Sequence, residues 1–211
     1  MKALLKVIYR GLVISVLISA WLLSASADRI EFCDSIPEDY VGWNSNVTLP
    51  KFDPAMGELT AVDISCKMNL SQKITLENTN PLEGNFSMSF SGALTAELPS
   101  SQEISIPIDH IRKGNLSGYD GAMDYAGPSG INSTETVPTD AATLSISNLE
   151  EFLAGAPGES ITLPVRVEIS SLIKMPGNSI GGVISKAGAE ICVFYTYGAS
   201  TVENGGTHDE I

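Results

Sequence analysis

The chain has 211 residues, of which 43% are hydrophobic and 18% charged, and its formal net charge is −13. This composition is too apolar for a disordered protein, and the length suits one domain with a full core. Nucleic acid is excluded as a partner because the 12 basic residues are scattered along an acidic chain and form no basic stretch for phosphate binding.

Residues 1–27 have the organisation of an export signal. Three basic residues precede an apolar run over 11–23, and small residues follow at 24–27. We predict cleavage after Ala27. The run is shorter than the roughly 20 residues that span a bilayer, so an uncleaved anchor is the less favoured alternative. The mature protein is therefore expected to be extracellular or at the cell surface, without direct insertion into the membrane.

Alternation of apolar and polar residues dominates the rest of the chain and predicts antiparallel strands with one buried face. The clearest stretch is 59–70, where the even-numbered residues from Val62 to Leu70 are apolar. The same alternation recurs, in chain order, at Trp43, Val47 and Leu49; at Phe86, Met88 and Phe90; at Ile104, Ile106 and Ile108; at Ala142, Leu144 and Ile146; and at Ile161, Leu163, Val165, Val167 and Ile169. The last run, 191–197, is apolar on both parities and indicates a central strand. Pro107 and Pro164 mark strand edges or bulges.

Turn sequences separate these strands, and one short connecting helix is predicted over 148–154. Ser147 and Glu150 can form a capping box there, and Gly155 can end the helix. Several short strands at this spacing predict a single domain over 28–199, an all-β antiparallel sandwich of the Greek-key or jelly-roll type. Residues 200–211 are predicted to form a flexible acidic tail.

Three cysteines, Cys33, Cys66 and Cys192, follow the leader, and an oxidising compartment would permit one disulfide and one free thiol. The sequence alone does not determine the pair. We expect Cys66 to pair with Cys192, because both lie in strongly strand-like segments that can approach face to face. No zinc site is predicted, since the cysteine spacings and the two histidines do not match one.

Five sequons for N-linked glycosylation also follow the leader. Their acceptor residues are Asn46, Asn69, Asn85, Asn115 and Asn132. The first three lie on the polar parity of predicted strands, where a glycan has to point. Asparagine favours the solvated face in any case, so these residues are candidates whose use depends on the host.

Asp120 and Asp124 are the candidate metal ligands. They lie in a turn-rich loop, and carboxylates close to backbone carbonyls suit calcium; the alternative is a β-turn with solvated acids. No other cofactor is expected. The chain contains no Gly-x-Ser-x-Gly or His-Glu-x-x-His motif, and no carboxylate pair stands out, so no catalytic residue is assigned and the protein is not expected to be an enzyme.

Several short motifs occur in a definite order along the chain. They are Trp43; residues 49–54 and 57–62; Glu77 with Asn78; residues 125–130; and residues 149–153, 162–165 and 193–197. This series resembles that of the choice-of-anchor E domain family. In that family the order is a tryptophan, an opening signature, a Glu-Asn step, a loop motif, a short helix, a next strand and a closing strand. The resemblance spans roughly residues 30–197. It implies an exported prokaryotic surface protein with no established activity.

The chain departs from that family pattern because no apolar anchor segment follows the closing strand. Release into the medium, or retention through other envelope proteins, is therefore expected. We predict a non-catalytic, secreted or cell-surface protein that is a structural or adhesive component of a bacterial or archaeal envelope or of an extracellular matrix. Its partners would be envelope or matrix proteins or glycans. The alternative is a carbohydrate-binding module, calcium-assisted at Asp120, with Tyr119 and Tyr125 as stacking aromatics.

Overall fold

The computed structural model describes residues 27–198, which form nine strands. These are β1 (Asp28–Tyr40), β2 (Asn44–Pro50), β3 (Glu58–Asn78), β4 (Gly84–Glu97), β5 (Glu103–Leu116), β6 (Gly130–Val137), β7 (Ala142–Ile146), β8 (Ser160–Lys174) and β9 (Ser179–Gly198). Three one-turn 3-10 helices lie between strands, at Pro54–Met56, Pro99–Ser101 and Leu149–Phe152. All but the last residue of the predicted export signal, and the predicted tail, lie outside the described residues.

The strands form two antiparallel sheets that pack face to face. The larger sheet has the order β1-β9-β3-β6, with β7 also paired to β3, and the smaller has the order β2-β8-β4-β5. Strands β3 and β9 have 21 and 20 residues and pair along almost their whole length. The prediction of an all-β antiparallel sandwich is confirmed, and so is the central position of the last strand.

The inward rows of the two sheets meet in one continuous core. In β3 the even-numbered residues from Val62 to Leu76 are buried, as the alternation predicts. Met88, Phe90 and Leu94 of β4 are completely buried on the facing sheet. Removal of apolar surface from water, worth about 25 cal/mol per Å², is the main force that holds the sheets together.

Two aromatic side chains also join the sheets by hydrogen bonds. Tyr195 of β9 is completely buried, and its hydroxyl donates to the carbonyl oxygen of Pro50 at the end of β2, at 2.8 Å. The indole N–H of Trp43 donates to the carbonyl oxygen of Ala187, at 3.0 Å. A buried donor without a partner is destabilising, so each bond restricts how the sheets can shift against one another.

The predicted helix at 148–154 is shorter than expected. It is the single 3-10 turn Leu149–Phe152, its N-cap residue is Asn148 instead of Ser147, and no side chain caps it. Leu153 leaves the turn at once because it forms a parallel bridge with Phe52, which returns the chain to an extended conformation. In the part of the chain that the structure describes, no helix has the length and apolar character needed to cross a membrane.

The two strand prolines differ in position. Pro107 lies in the edge strand β5, as predicted. Pro164 lies in β8, an interior strand of its sheet. It pairs only with Asn46 of β2, because the pairing of β8 with β4 begins one residue later, at Val165. Pro164 therefore occupies a local edge of the sheet, as predicted.

The structure pairs Cys33 with Cys192, so the expected disulfide between Cys66 and Cys192 is wrong. Cys33 and Cys192 lie directly opposite each other in the register of β1 and β9, with Cα atoms 4.0 Å apart. Cys66 is instead in register with Ile191. Since neighbouring residues of a strand point to opposite faces, the thiol of Cys66 faces the core and the sulfur of Cys192 faces outward.

Candidate functional site

The loop of residues 117–129, which joins β5 to β6, folds back over the end of β3. Its first residue, Ser117, donates its N–H to the carbonyl oxygen of Pro128 at 2.9 Å, which closes the loop on itself. The N–H of Tyr119 donates to Asn80 at 2.7 Å, and the carbonyl of Ser129 accepts from the N–H of Asn78 at 2.9 Å. The loop is thus tied by main-chain bonds to the connection between β3 and β4.

The side chain of Asn78 holds the loop to the connection between β3 and β4. It is completely buried, and its amide nitrogen donates to the carbonyl oxygens of Leu82 and Ser117 at 2.9 and 2.8 Å. Its amide oxygen accepts from the N–H of Asn80 at 3.0 Å. One amide group therefore ties the turn of residues 78–82 to the start of the loop at Ser117.

Glu77, the residue before Asn78, is completely buried although it lies on the outward parity of β3. The loop covers it. Its Oε2 atom accepts from the N–H of Tyr125 at 2.7 Å, whereas Oε1 has no hydrogen-bond partner. The hydroxyl of Ser129 is also buried without a partner. Two buried oxygens, one on Glu77 and one on Ser129 of the loop itself, therefore lack hydrogen-bond partners.

The backbone around Glu77 is unusually constrained. Gly130 lies opposite Glu77 in the register of β3 and β6, and the space that a Cβ atom of Gly130 would need is filled by the backbone of Tyr125 and Ala126. Tyr125 itself has a φ of 55°, a conformation that non-glycine residues rarely adopt. The bond from its N–H to Glu77 contributes to holding it there.

The two predicted calcium ligands lie in this loop, in separate turns. Asp120 accepts from the N–H of Ala122 at 3.0 Å, and Asp124 accepts from the N–H of Ala126 at 2.9 Å. Each carboxylate thus organises its own turn with one oxygen. The second oxygen of Asp120 lies close to Gly127. Sequence reasoning missed Glu77 as a candidate ligand, although it had picked out the Glu77–Asn78 step as a motif.

A different group of potential metal ligands also lies close together among residues 27–198. It consists of Glu31, Cys33 and Cys192. Because the two sulfurs are bonded to each other, this group is a disulfide beside a carboxylate and offers no thiolate to a metal. The free thiol of Cys66 is buried, and burial raises its pKa to about 12, so it is not a nucleophile at neutral pH.

All five sequon asparagines lie in strands and are exposed. They are Asn46 in β2, Asn69 in β3, Asn85 in β4, Asn115 in β5 and Asn132 in β6. Asn85 and Asn115 face each other across β4 and β5, and their amides are 3.3 Å apart. A glycan on any of the five would project from an outer face of the sandwich without disturbing the core. Their modification stays a prediction.

The outer face of the smaller sheet forms a shallow trough along β4, called here the β4 trough. Its floor is made of the serines Ser87, Ser89 and Ser91. Ser89 lies between Ile111 of β5 and Leu172 of β8, which are 55% and 56% exposed. At one end, Lys113 and Lys174 flank Ser87 and help to line a cavity of about 430 Å³. The face thus combines exposed apolar side chains with two lysines.

Comparisons with known proteins do not assign the chain to a family. No family model and no curated protein matches it. Among solved structures it is similar to one of the infectious bursal disease virus Gx strain, with 8% identity over 82% of this chain and 37% of that chain and a TM-score of 0.21. A VP2 protein mutant of that virus, in derived T=1 particles, has 9% identity over 80% of this chain and 40% of that chain, with a TM-score of 0.14. The chain spans about two fifths of these longer chains.

Proposed function

We propose that the protein is a non-catalytic structural or adhesive component of a cell envelope or extracellular matrix. The disulfide between Cys33 and Cys192 is the observation that carries the proposal. A structural disulfide of this kind persists in oxidising compartments and is rare in the cytosol. It therefore agrees with the export signal that the sequence predicts at residues 1–27.

The surface of the sandwich supports the same role. The chain carries 25 acidic and 12 basic residues, and its five sequon asparagines are exposed on both outer faces. An acidic and glycosylated surface stays soluble and resists proteases outside the cell. Membership in the choice-of-anchor E domain family, which rests on the ordered motifs in the sequence, is part of this proposal.

Adhesion would use the β4 trough. Exposed apolar side chains on the outer face of a sheet cost solubility, so a pair such as Ile111 and Leu172 suits a contact surface. The serine floor leaves room for a partner's side chains or sugar rings between them. The partner would be another envelope or matrix protein, or a glycan of that layer.

Localisation is tested by fractionating producing cells into cytosol, envelope and medium and by intact-mass measurement of the product. We expect a protein shortened at its amino terminus in the envelope or medium, with the disulfide formed. An uncleaved protein confined to the cytosol, with all three cysteines reduced, would refute the proposal.

Adhesion is tested by pull-down from intact envelopes with the purified protein and two double variants. Replacing Ile111 and Leu172 by threonine keeps strand propensity but removes the apolar pair, and we expect capture of envelope material to fall. The matched control also introduces two threonines, at Tyr40 and Ile184, which are 60% and 49% exposed on the other sheet. Equal capture by both variants and the parent protein would exclude the β4 trough as the contact surface.

A carbohydrate-binding function is the second candidate. Tyr119 is 37% exposed, Tyr125 is partly exposed, and both lie in the loop that holds Asp120. Exposed aromatic rings next to carboxylates can stack on sugars and accept bonds from their hydroxyl groups. A glycan array with the parent protein and Tyr119→Ala tests this function. Binding that is lost in the variant would support it, and an array without any binding would exclude it.

A further inference from the structure

We propose that Glu77 and the loop of residues 117–129 above it form a calcium-binding site. This inference goes beyond the function proposed above and does not depend on it. It starts from Glu77, which is completely buried and has no Lys or Arg ion-pair partner among residues 27–198. Burial of a carboxylate without a compensating cation is strongly destabilising, so a cation bound beside Glu77 would stabilise the fold.

The two oxygens of the Glu77 carboxyl group differ in their partners. The Oε2 atom accepts a 2.7 Å bond from the N–H of Tyr125. The other oxygen, Oε1, is buried with no donor. A cation bound to Oε1 would neutralise the charge and satisfy this oxygen at the same time.

The loop above Glu77 supplies further oxygens. Asp120 adds a second carboxylate, and one of its oxygens lies close to Gly127, within the same loop. The negative charge beneath and within the loop therefore attracts a divalent cation.

The chemistry of these donors selects calcium. Glu77 and Asp120 offer only oxygen, whereas zinc prefers the nitrogen and sulfur of His and Cys. Magnesium demands a near-octahedral set, and calcium accepts irregular oxygen sites that include backbone carbonyls. This site differs from the sequence-based hypothesis, because its central ligand is the buried Glu77 and Asp124 only organises a turn.

Calorimetric titration of the chelator-treated protein with calcium chloride is the direct test. We expect saturable binding, and a rise in the melting temperature of about 5–10 °C at a calcium concentration near 100 times the dissociation constant. Terbium, a luminescent calcium substitute, should show tyrosine-sensitised emission because the backbone N–H of Tyr125 bonds to Glu77, which keeps the tyrosine ring within one side-chain length of the site. Excess calcium should suppress that emission.

Variants then locate the ion. Glu77→Gln keeps an acceptor for the N–H of Tyr125 but removes the charge, and we expect calcium affinity to fall by at least about 10- to 100-fold. Asp120→Asn should weaken binding less. The matched control is Glu168→Gln, which removes the same charge from an exposed strand position of the other sheet and should bind like the parent protein.

The outcomes separate cleanly. The proposal is overturned if the parent protein shows neither calcium heat nor a melting shift, since Glu77 would then be stabilised by a proton or by internal bonds alone. It is also overturned if Glu77→Gln binds calcium like the parent protein, because the ion would then lie elsewhere. Should Glu77→Gln fail to fold, as judged by circular dichroism, Asp120→Asn at an exposed position of the same loop provides the test, and calcium affinity equal to that of the parent protein would overturn the proposal.

Discussion

Removal of the Cys33–Cys192 disulfide should destabilise the protein more than any other change at a cysteine. The two residues are 159 positions apart, so the cross-link closes nearly the whole described chain into one loop. Chain-entropy arguments assign about 5 kcal/mol at 25 °C to a loop of this length. Replacing both cysteines by serine should therefore lower the free energy of unfolding by up to about 5 kcal/mol, a large part of the stability of a typical domain.

Urea unfolding of the oxidised parent protein and of the double serine variant measures this loss. The matched control is Cys66→Ala, which removes a buried thiol without touching the cross-link and should cost only about 1–2 kcal/mol. Alkylation gives a second readout. The native parent protein should resist iodoacetamide at neutral pH because the pKa of the Cys66 thiol is raised to about 12, and the urea-unfolded protein should take up one label.

Two results would refute this reasoning. A peptide map under non-reducing conditions that finds Cys66 in a disulfide would contradict the register of β1, β3 and β9. A double serine variant that loses no more stability than Cys66→Ala would show that the cross-link does not restrict the unfolded chain as a loop of 159 residues should.

Three further predictions concern the core and one ion pair. Phe90→Ala removes a completely buried ring and should lower the free energy of unfolding by about 3–5 kcal/mol in urea; a loss below about 1 kcal/mol would contradict the packing. Tyr195→Phe leaves the carbonyl of Pro50 without its buried donor and should cost about 1–3 kcal/mol, and an unchanged midpoint would show that this bond does not stabilise the fold. The ammonium group of Lys51 donates to Glu159 and holds the pKa of that carboxyl below its ordinary value. Because a lowered carboxyl pKa contributes stability above the unfolded pKa, the contribution should disappear as the pH falls through the folded pKa. Melting curves of the parent protein and Glu159→Gln should therefore converge in acid, and a difference that stays constant with pH would contradict the pairing.

Strands and their faces could be predicted from the sequence because they follow from local alternation. The buried even-numbered residues of β3 and the exposed Asn46, Asn69 and Asn85 are where the pattern predicts them. Each residue's face depends on its two neighbours in the chain, and a long run such as β3 contains many such tests. The same reasoning predicted a sandwich, since strands with one apolar face are stable only when two sheets cover each other.

The disulfide could not be predicted in this way. Alternation places Cys66 and Cys192 in good strands, but the bond depends on which residues are opposite each other across strands far apart in sequence. A register difference of one residue turns a side chain to the other face, and here it directs Cys66 into the core and Cys192 toward Cys33.

The sequence by itself determined the all-β class, the extent of most strands and the rows that form the core, because these depend on side-chain alternation within each segment. Only the tertiary structure determined that Glu77 is buried, because alternation places this residue on the solvated face. The loop of residues 117–129 returns over β3 from a distant part of the chain and buries this carboxylate. Burial depends on which loop covers a position, and that is a property of the folded chain as a whole.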